Sequence, residues 1–248
     1  MKAYKVLLAA VGIGVVWQIL AWVVDRAILP APIIVLEAFF SEIGKDLGYH
    51  FAASLWRVVA SMLLSVALAA PAGLLLGQSK KLDQFFAPVI YLLYPIPKVV
   101  LVPVVLLFLG INDASKIAII FLILFFQILV LVRDQAANIT PELLYSVRSL
   151  GAGRRALFRY VYLPASIPAI LTALRQSIGT AVAVLYIVEL IATQRGLGYY
   201  IYFHGSTLFD YPKMYAGVMA MGIMGLGMYF TVDLLQRKAA PWQYGNEA

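Results

Sequence analysis

Apolar residues fall in six long runs along the chain, at residues 6–24, 52–77, 85–109, 117–132, 165–192 and 215–235. Each is near the length that crosses about 30 Å of hydrocarbon as a helix. The runs are continuous rather than alternating, so a closed β-barrel is excluded. The first run is too long for a secretory signal and lacks a small-residue cleavage pattern, so it is expected to remain as a helix. Between the first two runs, Ile33, Leu36, Phe40, Ile43 and Leu47 recur at helical spacing after Pro30 and Pro32. That periodicity predicts an amphipathic helix, lying in the outer interface or packing across the bundle.

Composition sharpens this picture. Of 248 residues, 63% are apolar and 12% charged, against roughly 45–50% and about 25% in a soluble domain. Mean hydropathy is +0.90. The chain is therefore an all-α integral membrane protein, expected to form a single transmembrane domain over residues 1–248. The absence of cysteine removes disulfides, thiolate nucleophiles and Fe–S or Cys-zinc sites. Two histidines, His50 and His204, leave little for a histidine metal centre. His204, beside Gly205 in an outer loop, is expected at the surface. Tyr199, Tyr200 and Tyr202 nearby suit an interfacial aromatic belt.

Basic residues set the orientation. With the N-terminus inside, the inner segments hold Lys2, Lys5, Lys80, Lys81, Arg133, Arg148, Arg154, Arg155, Arg159, Arg237 and Lys238. The outer segments hold only Arg26, Lys45, Lys116, Arg195 and Lys213. This asymmetry predicts six transmembrane helices with both termini cytoplasmic. It accounts for the net charge of +7 without a nucleic-acid partner.

One connection stands apart: residues 133–163, cytoplasmic, long and basic. Pro141 can open a short helix with Glu142 in its first turn, where the helix dipole favours an acid. That helix is expected to end at Leu150, with Gly151 at the C′ position. A second helical stretch should run over residues 154–162, after which Pro164 and Pro168 start the fifth span.

The segment SLGAGRRALFRYVYLPASIPAILTALR, residues 149–175, resembles the cytoplasmic loop of ATP-binding-cassette importer permeases. That loop carries Glu-Ala-Ala, three residues, Gly, nine residues, Ile, one residue, then Leu-Pro. Gly151, Val161, Leu163 and Pro164 fall at the required spacing. At the head, Tyr145, Ser146 and Val147 replace Glu-Ala-Ala, and Glu142 lies one turn earlier. SLWRVVASMLLSVALAAPAGLLLGQSKKLDQFFAPVIYLLYPIPKVVLVPVVLLFLG and VELIATQRGLGYYI are similar to the nitrate/sulfonate/taurine branch of these permeases, and the resemblance runs over residues 29–235.

The resemblance implies a mechanism. Two permease subunits, here a homodimer, form the pathway through the bilayer. A coupling helix on each docks in a groove on an ATPase subunit, and ATP binding switches the bundle between inward- and outward-facing states. An extracytoplasmic binding protein delivers the substrate. The docking surface maps to Glu142, Tyr145, Ser146, Leu150, Gly151, Ala152, Gly153, Arg154 and Arg155, with Leu163 and Pro164 linking it to the fifth span. The chain has no GxxxxGK[ST] phosphate loop. ATP and Mg belong on the partner, and this chain is not expected to be an enzyme or to bind a cofactor or metal.

Polar residues inside the spans are the remaining candidates. A charge at the bilayer centre costs at least about 2.5 kcal/mol, which singles out Glu189. Two readings are open for it: a gate or substrate-proximal group, or a structural acid capped by backbone or paired with Arg195. Pro95 and Pro97 should kink or unwind the third span beside Lys98, which either faces the pathway or snorkels inward. Arg175, Gln176, Ser177 and Thr180 either line the pathway or bridge helices. Gly222, Gly225 and Gly227, among methionines, suit close helix packing or lipid contact. Two rivals stand against the importer reading. An ion-coupled secondary transporter would work through Glu189 or Lys98, but that class is built from inverted repeats. A membrane enzyme would need a nucleophile, metal or acid–base pair that the spans do not supply.

Overall fold

A computed structural model describes residues 3–191 and 193–241. All regular structure among the described residues is helical. Helix α1 (Ala3–Val24) is strongly apolar from Val6 onward, with Gln18 the one amide side chain in that stretch. The chain turns back after it, and Trp17 Nε1–H donates to the Pro30 carbonyl at 3.1 Å. Helix α2 (Pro32–Glu42) opens on a proline at its first position and buries Val35. The amphipathic helix expected to reach Leu47 is broken at residues 43–45. Leu47 instead belongs to α3 (Asp46–Gln78), a helix of 33 residues.

Helix α4 (Lys80–Leu93) is capped by Ser79. Residues 94–97 interrupt it, and a 3₁₀ turn over Lys98–Leu101 leads into α5 (Val102–Leu109). The two halves meet at 77°. Helix α6 (Asp113–Ala137) starts with a reciprocal cap between Asn112 and Ser115. Helix α7 (Pro141–Ser149) precedes α8 (Arg154–Leu157), which runs through a π-helical turn into α9 (Leu163–Leu190). Helix α10 (Leu197–Tyr202), another π turn and α11 (Tyr211–Ala239) complete the order.

Among the described residues, four helices are long and apolar enough to cross a membrane: Asp46–Gln78, Asp113–Ala137, Arg155–Leu190 and Tyr211–Ala239. The bent α4–α5 pair adds a fifth if it is one span, and α1 has a shorter apolar stretch, Leu8–Val24. The fifth expected run is longer than anticipated. Its helix starts at Arg155, so the loop expected over residues 133–163 narrows to 138–153 around α7. Pro164 does not break the rod, because the turn before it is wide. Leu163 N–H bonds the Phe158 carbonyl, five residues back, which gives the proline ring room.

Contacts divide the chain into two compact units: Met1–Leu55 with Glu189–Met224, and Trp56–Val188 with Gly225–Ala248. In the second unit α3 and α6 form a seam of constant register. Arg57 Nε donates to Asp113 Oδ1 at 2.9 Å. Ser61 Oγ lies 3.2 Å from the Ile117 carbonyl oxygen and Ser65 Oγ 3.3 Å from that of Phe121, each hydroxyl being shared with a closer carbonyl four residues back on α3. Each α6 partner is 56 residues further along. Gly73 and Gly77 continue the stripe: a Cβ on them would lie 2.8 Å from the Leu129 carbonyl oxygen and 2.5 Å from that of Arg133. Small residues every fourth position let the two backbones approach.

A constant offset means that α3 and α6 run parallel. The seam from Arg57 to Gly77 is about 30 Å long at 1.5 Å per residue, the thickness of the hydrocarbon. The chain must therefore travel that length back between them, and the α4–α5 pair is what carries it. A re-entrant loop would have left α6 antiparallel to α3. In the same unit α9 and α11 are antiparallel: Val182 meets Gly225, Arg175 meets Asp233 and Thr172 meets Gln236.

Candidate functional site

The knuckle formed by α7 and the turn after it follows from its local sequence. Thr140 precedes Pro141, and Glu142 stands in the first turn of α7. Ser146 Oγ bonds the Glu142 carbonyl at 2.9 Å, and Ser149 Oγ that of Ser146 at 2.8 Å, so both hydroxyls serve the helix itself. Gly151 ends it with φ +81 and donates its N–H to the Arg148 carbonyl at 2.9 Å. An L side chain strains that conformation. Nothing lies within 4 Å of a Cβ placed on Gly151 or Gly153.

This knuckle is apolar and open. Tyr145 is 65% exposed and Leu150 85%. Glu142, Ser146 and Arg155 are exposed, and Ala152 is half-buried. The Arg154 side chain lies outside the described residues. Leu157 and Val161 are buried and anchor the root of the rod. Leu163 is at its surface and Pro164 half-buried. Tyr145 and Leu150 thus form an exposed apolar pair beside the turn at Gly151.

The break in the third run brings a cation to an aromatic floor. Lys98 Nζ donates to the Tyr94 carbonyl at 2.5 Å, a group left without its usual helical partner by the interruption. The ammonium also lies 4.8 Å from the centroid of the Phe126 ring and 5.5 Å from that of Tyr94, within cation–π range. Pro95 and Pro97 are exposed beside it. Pro95, Tyr91 and Tyr94 line a groove of about 540 Å³ that ends at Arg133. Arg133 itself, expected in the loop, is inside α6 and holds Asp83 through Nε and a 2.9 Å bond to Oδ2.

Gln176 is exposed and lines a second groove, about 250 Å³, with Gln135 and Thr172. Thr180 is half-buried one turn away. Ser177 is fully buried, and its hydroxyl donates to the Ala173 carbonyl at 2.7 Å; it is helix-internal rather than directed at a groove. Lys98 lies over Phe126 of α6, and Gln176 lines a groove together with Leu131 of the same helix; those two α6 residues are about 8 Å apart along its axis.

In the first unit Glu189 is fully buried and holds the start of α10. Its carboxylate accepts from Ser54 Oγ at 2.8 and 2.9 Å and from Gly198 N–H at 2.9 Å. Leu197 N–H donates to Ser54 Oγ at 2.7 Å, and Gly196 N–H to His50 Nδ1 at 2.9 Å. Gly196, at φ +124, passes so close to the carboxylate that a Cβ would collide with it. An anion among the free amides of a helix start is stabilised there. The carboxylate is thus engaged with the Ser54 hydroxyl and the Gly198 backbone. The Arg195 guanidinium lies 4.7 Å from the Tyr49 ring centroid.

His204 is not at the surface. It is 6% exposed, with its ring centroid 4.3 Å from that of Tyr200. The π turn over Phe203–Thr207 turns the imidazole inward, and Gly205 lets Met214 pack closely behind it. Burial, seconded by Lys213, pushes its pKa below the ordinary value, against the opposing pull of Asp210, Asp46 and Glu42. Tyr200 is buried rather than interfacial, and burial raises its phenol pKa.

Sequence reasoning missed the ion pairs. Asp233 joins Arg175 at 2.8 Å and Arg237 at 2.9 Å, and Arg57–Asp113 heads the α3–α6 seam. The only available signal was Arg57, Ser61, Ser65, Ala69, Gly73 and Gly77 at every fourth position. Of Gly222, Gly225 and Gly227, read as suiting close packing or lipid contact, only Gly225 would bring an added Cβ within 4 Å of a neighbour, Val182.

Residues 69–243 match the family described as binding-protein-dependent transport system inner membrane component. A probable ABC transporter permease protein of Brucella abortus (strain 2308) is 34% identical over 236 residues, covering 94% of this chain and 93% of that protein. The taurine transport system permease protein TauC of Escherichia coli (strain K12) is 30% identical over 220 residues, covering 86% and 80%. Among solved structures, a chain of the inward-facing MetNI methionine ABC transporter is similar at TM-score 0.67 and 19% identity, covering 75% of this chain and 93% of that one.

Proposed function

This chain belongs to the family of binding-protein-dependent transport system inner membrane components, and we propose that two copies of it form the pathway of an importer worked by separate ATPase subunits. It is a multi-pass inner-membrane protein and the permease component of an ABC importer. In the proposed arrangement α1, α3, the α4–α5 pair, α6, α9 and α11 are six crossings of one transmembrane domain, with both termini cytoplasmic. ATP and Mg are held by the partner ATPases. An extracytoplasmic binding protein supplies the substrate.

One observation carries the coupling reading: the exposed Tyr145–Leu150–Gly151 knuckle is separated by only residues 152–153 from helical structure that runs from Arg154 to Leu190. A groove on an ATPase subunit would receive the knuckle, and its displacement would reach the span through the short turn at residues 150–153, α8 and the π turn. Alternating access follows as the rods of two copies tilt. The substrate class is a small polar or anionic nutrient of the nitrate, sulfonate, taurine or thiamine-precursor kind. TauC is named for taurine transport, and Lys98 above its aromatic floor offers this chain a cation for an anionic group. An ion-coupled carrier would need Glu189 free to titrate, whereas its carboxylate is engaged in holding α10.

The test is site-specific photo-crosslinking in the native membrane. A crosslinker at Tyr145 or Leu150 should capture a nucleotide-binding subunit, and one at Leu226, equally exposed on α11, should not. Capture at Leu226 alone, or at none of the three, would refute docking at the knuckle.

A further inference from the structure

We propose that Asp233 is a positioning residue that locks the inner halves of α9 and α11 into one body, so that movement of the knuckle reaches both helices. The inference rests on the coupling reading above and concerns what lies behind it. Helix α9 is joined to the knuckle through α8 and the short turn at residues 150–153, but α11 has no such link. It is also the least embedded long helix: 22% of its apolar window is buried, against 33% for the helix containing α9 and 44% for α3 and α6. Gly222 and Gly227 face open space along it.

What ties α11 to α9 at the inner end is polar. Asp233 Oδ1 accepts from Arg175 of α9 at 2.8 Å, and Oδ2 from Arg237 one turn on at 2.9 Å. One turn deeper Gln236 Nε2 donates to Thr172 Oγ1 at 3.1 Å. The Arg175 guanidinium also sits 5.7 Å from the centroid of the Tyr229 ring. The Asp233 side chain is 18% exposed and that of Arg175 25%, so water competes weakly for the pair.

Apolar helix faces in lipid resist sliding poorly, since lipid tails match them as partners. A carboxylate with both oxygens committed fixes register. Sliding α11 by one turn, about 5.4 Å, would separate Asp233 from Arg175 and leave both charges in the inner half of the bundle, which is unfavourable. The clamp therefore makes α9 and α11 tilt together.

The natural chain contains no cysteine, which makes a spin-label test clean. Labels go on Tyr160→Cys, at the root of α9, and Leu235→Cys, on α11, both exposed. The chain is purified with its ATPase, diluted with unlabelled copies, and measured without nucleotide and with ATP plus vanadate. With Asp233 present the distance should stay fixed. With Asp233→Asn it should change or broaden on nucleotide trapping while ATP hydrolysis continues, and Asp233→Glu should restore the fixed distance. A distance that changes with Asp233 intact, or stays fixed in Asp233→Asn, overturns the proposal. Should Asp233→Asn fail to assemble, the distance in the Asp233-bearing complex still decides. A chain to which no ATPase binds would instead sink the coupling reading.

Discussion

Gly77→Ala is the sharpest perturbation of the α3–α6 seam. The added carbon would lie 2.5 Å from the Arg133 carbonyl oxygen, 2.6 Å from Ala136 Cβ and 2.9 Å from Ala137 N. Non-bonded carbons rest at about 3.5–4.0 Å, so α6 must retreat by about 1 Å. The Ser61 and Ser65 hydroxyls keep their closer bonds to carbonyls of α3 itself, so the cost is one of packing. Overpacking costs about 1–3 kcal/mol, and alanine's better helix propensity returns about 1 kcal/mol. The net loss is up to about 2 kcal/mol. Gly222→Ala is the same chemical change with nothing within 4 Å, and should stabilise by about 0.5–1 kcal/mol. The assay is unfolding of the purified chain in mild detergent, followed by tryptophan fluorescence. Equal stability of the two variants would refute the seam.

Glu189→Gln should loosen α10 before it affects the rest of the chain, because an amide NH₂ then opposes the donors of Ser54 and Gly198; hydrogen exchange at Gly196–Gly198 should accelerate, and unchanged protection would contradict the clamp. His204 has a folded-state pKa below its unfolded value. Its neutral form therefore contributes fully above about pH 6.5, and stability is lost as pH falls through the folded pKa. Thermal unfolding between pH 8 and 5 should show the loss, and His204→Gln should flatten it. Truncating Tyr145 and Leu150 to alanine should leave stability within about 0.5 kcal/mol yet weaken ATPase binding; a large fall in melting temperature would mean that they pack against this chain instead.

The membrane runs were legible because twenty apolar residues in succession have few other uses, and among the described residues each run is mainly helical, the third with a break at residues 94–97. The stop at Gly151 was legible because a C′ glycine is a local requirement. Pairings were not. Arg57 and Asp113 lie 56 residues apart, and nothing local links them until the every-fourth stripe on α3 is set against α6 at constant offset. The burial of His204 was hidden for a related reason. Its neighbours Gly205, Ser206 and Thr207 suggest an open loop, but a π turn rotates the ring beneath Tyr200. Pro164 misled in the opposite sense: a proline that marks a helix start in isolation is absorbed here by the wide turn before it.

The central claim, that the knuckle around Gly151 receives an ATPase, is tested most directly by affinity purification of the tagged chain from its native membrane. A nucleotide-binding subunit should come with it. Gly151→Asp, which places a strained and charged residue at the φ +81 position, should abolish that association while the permease stays in the membrane at its usual level. A chain that purifies without a nucleotide-binding subunit, or a Gly151→Asp chain that retains it in full, would contradict the account.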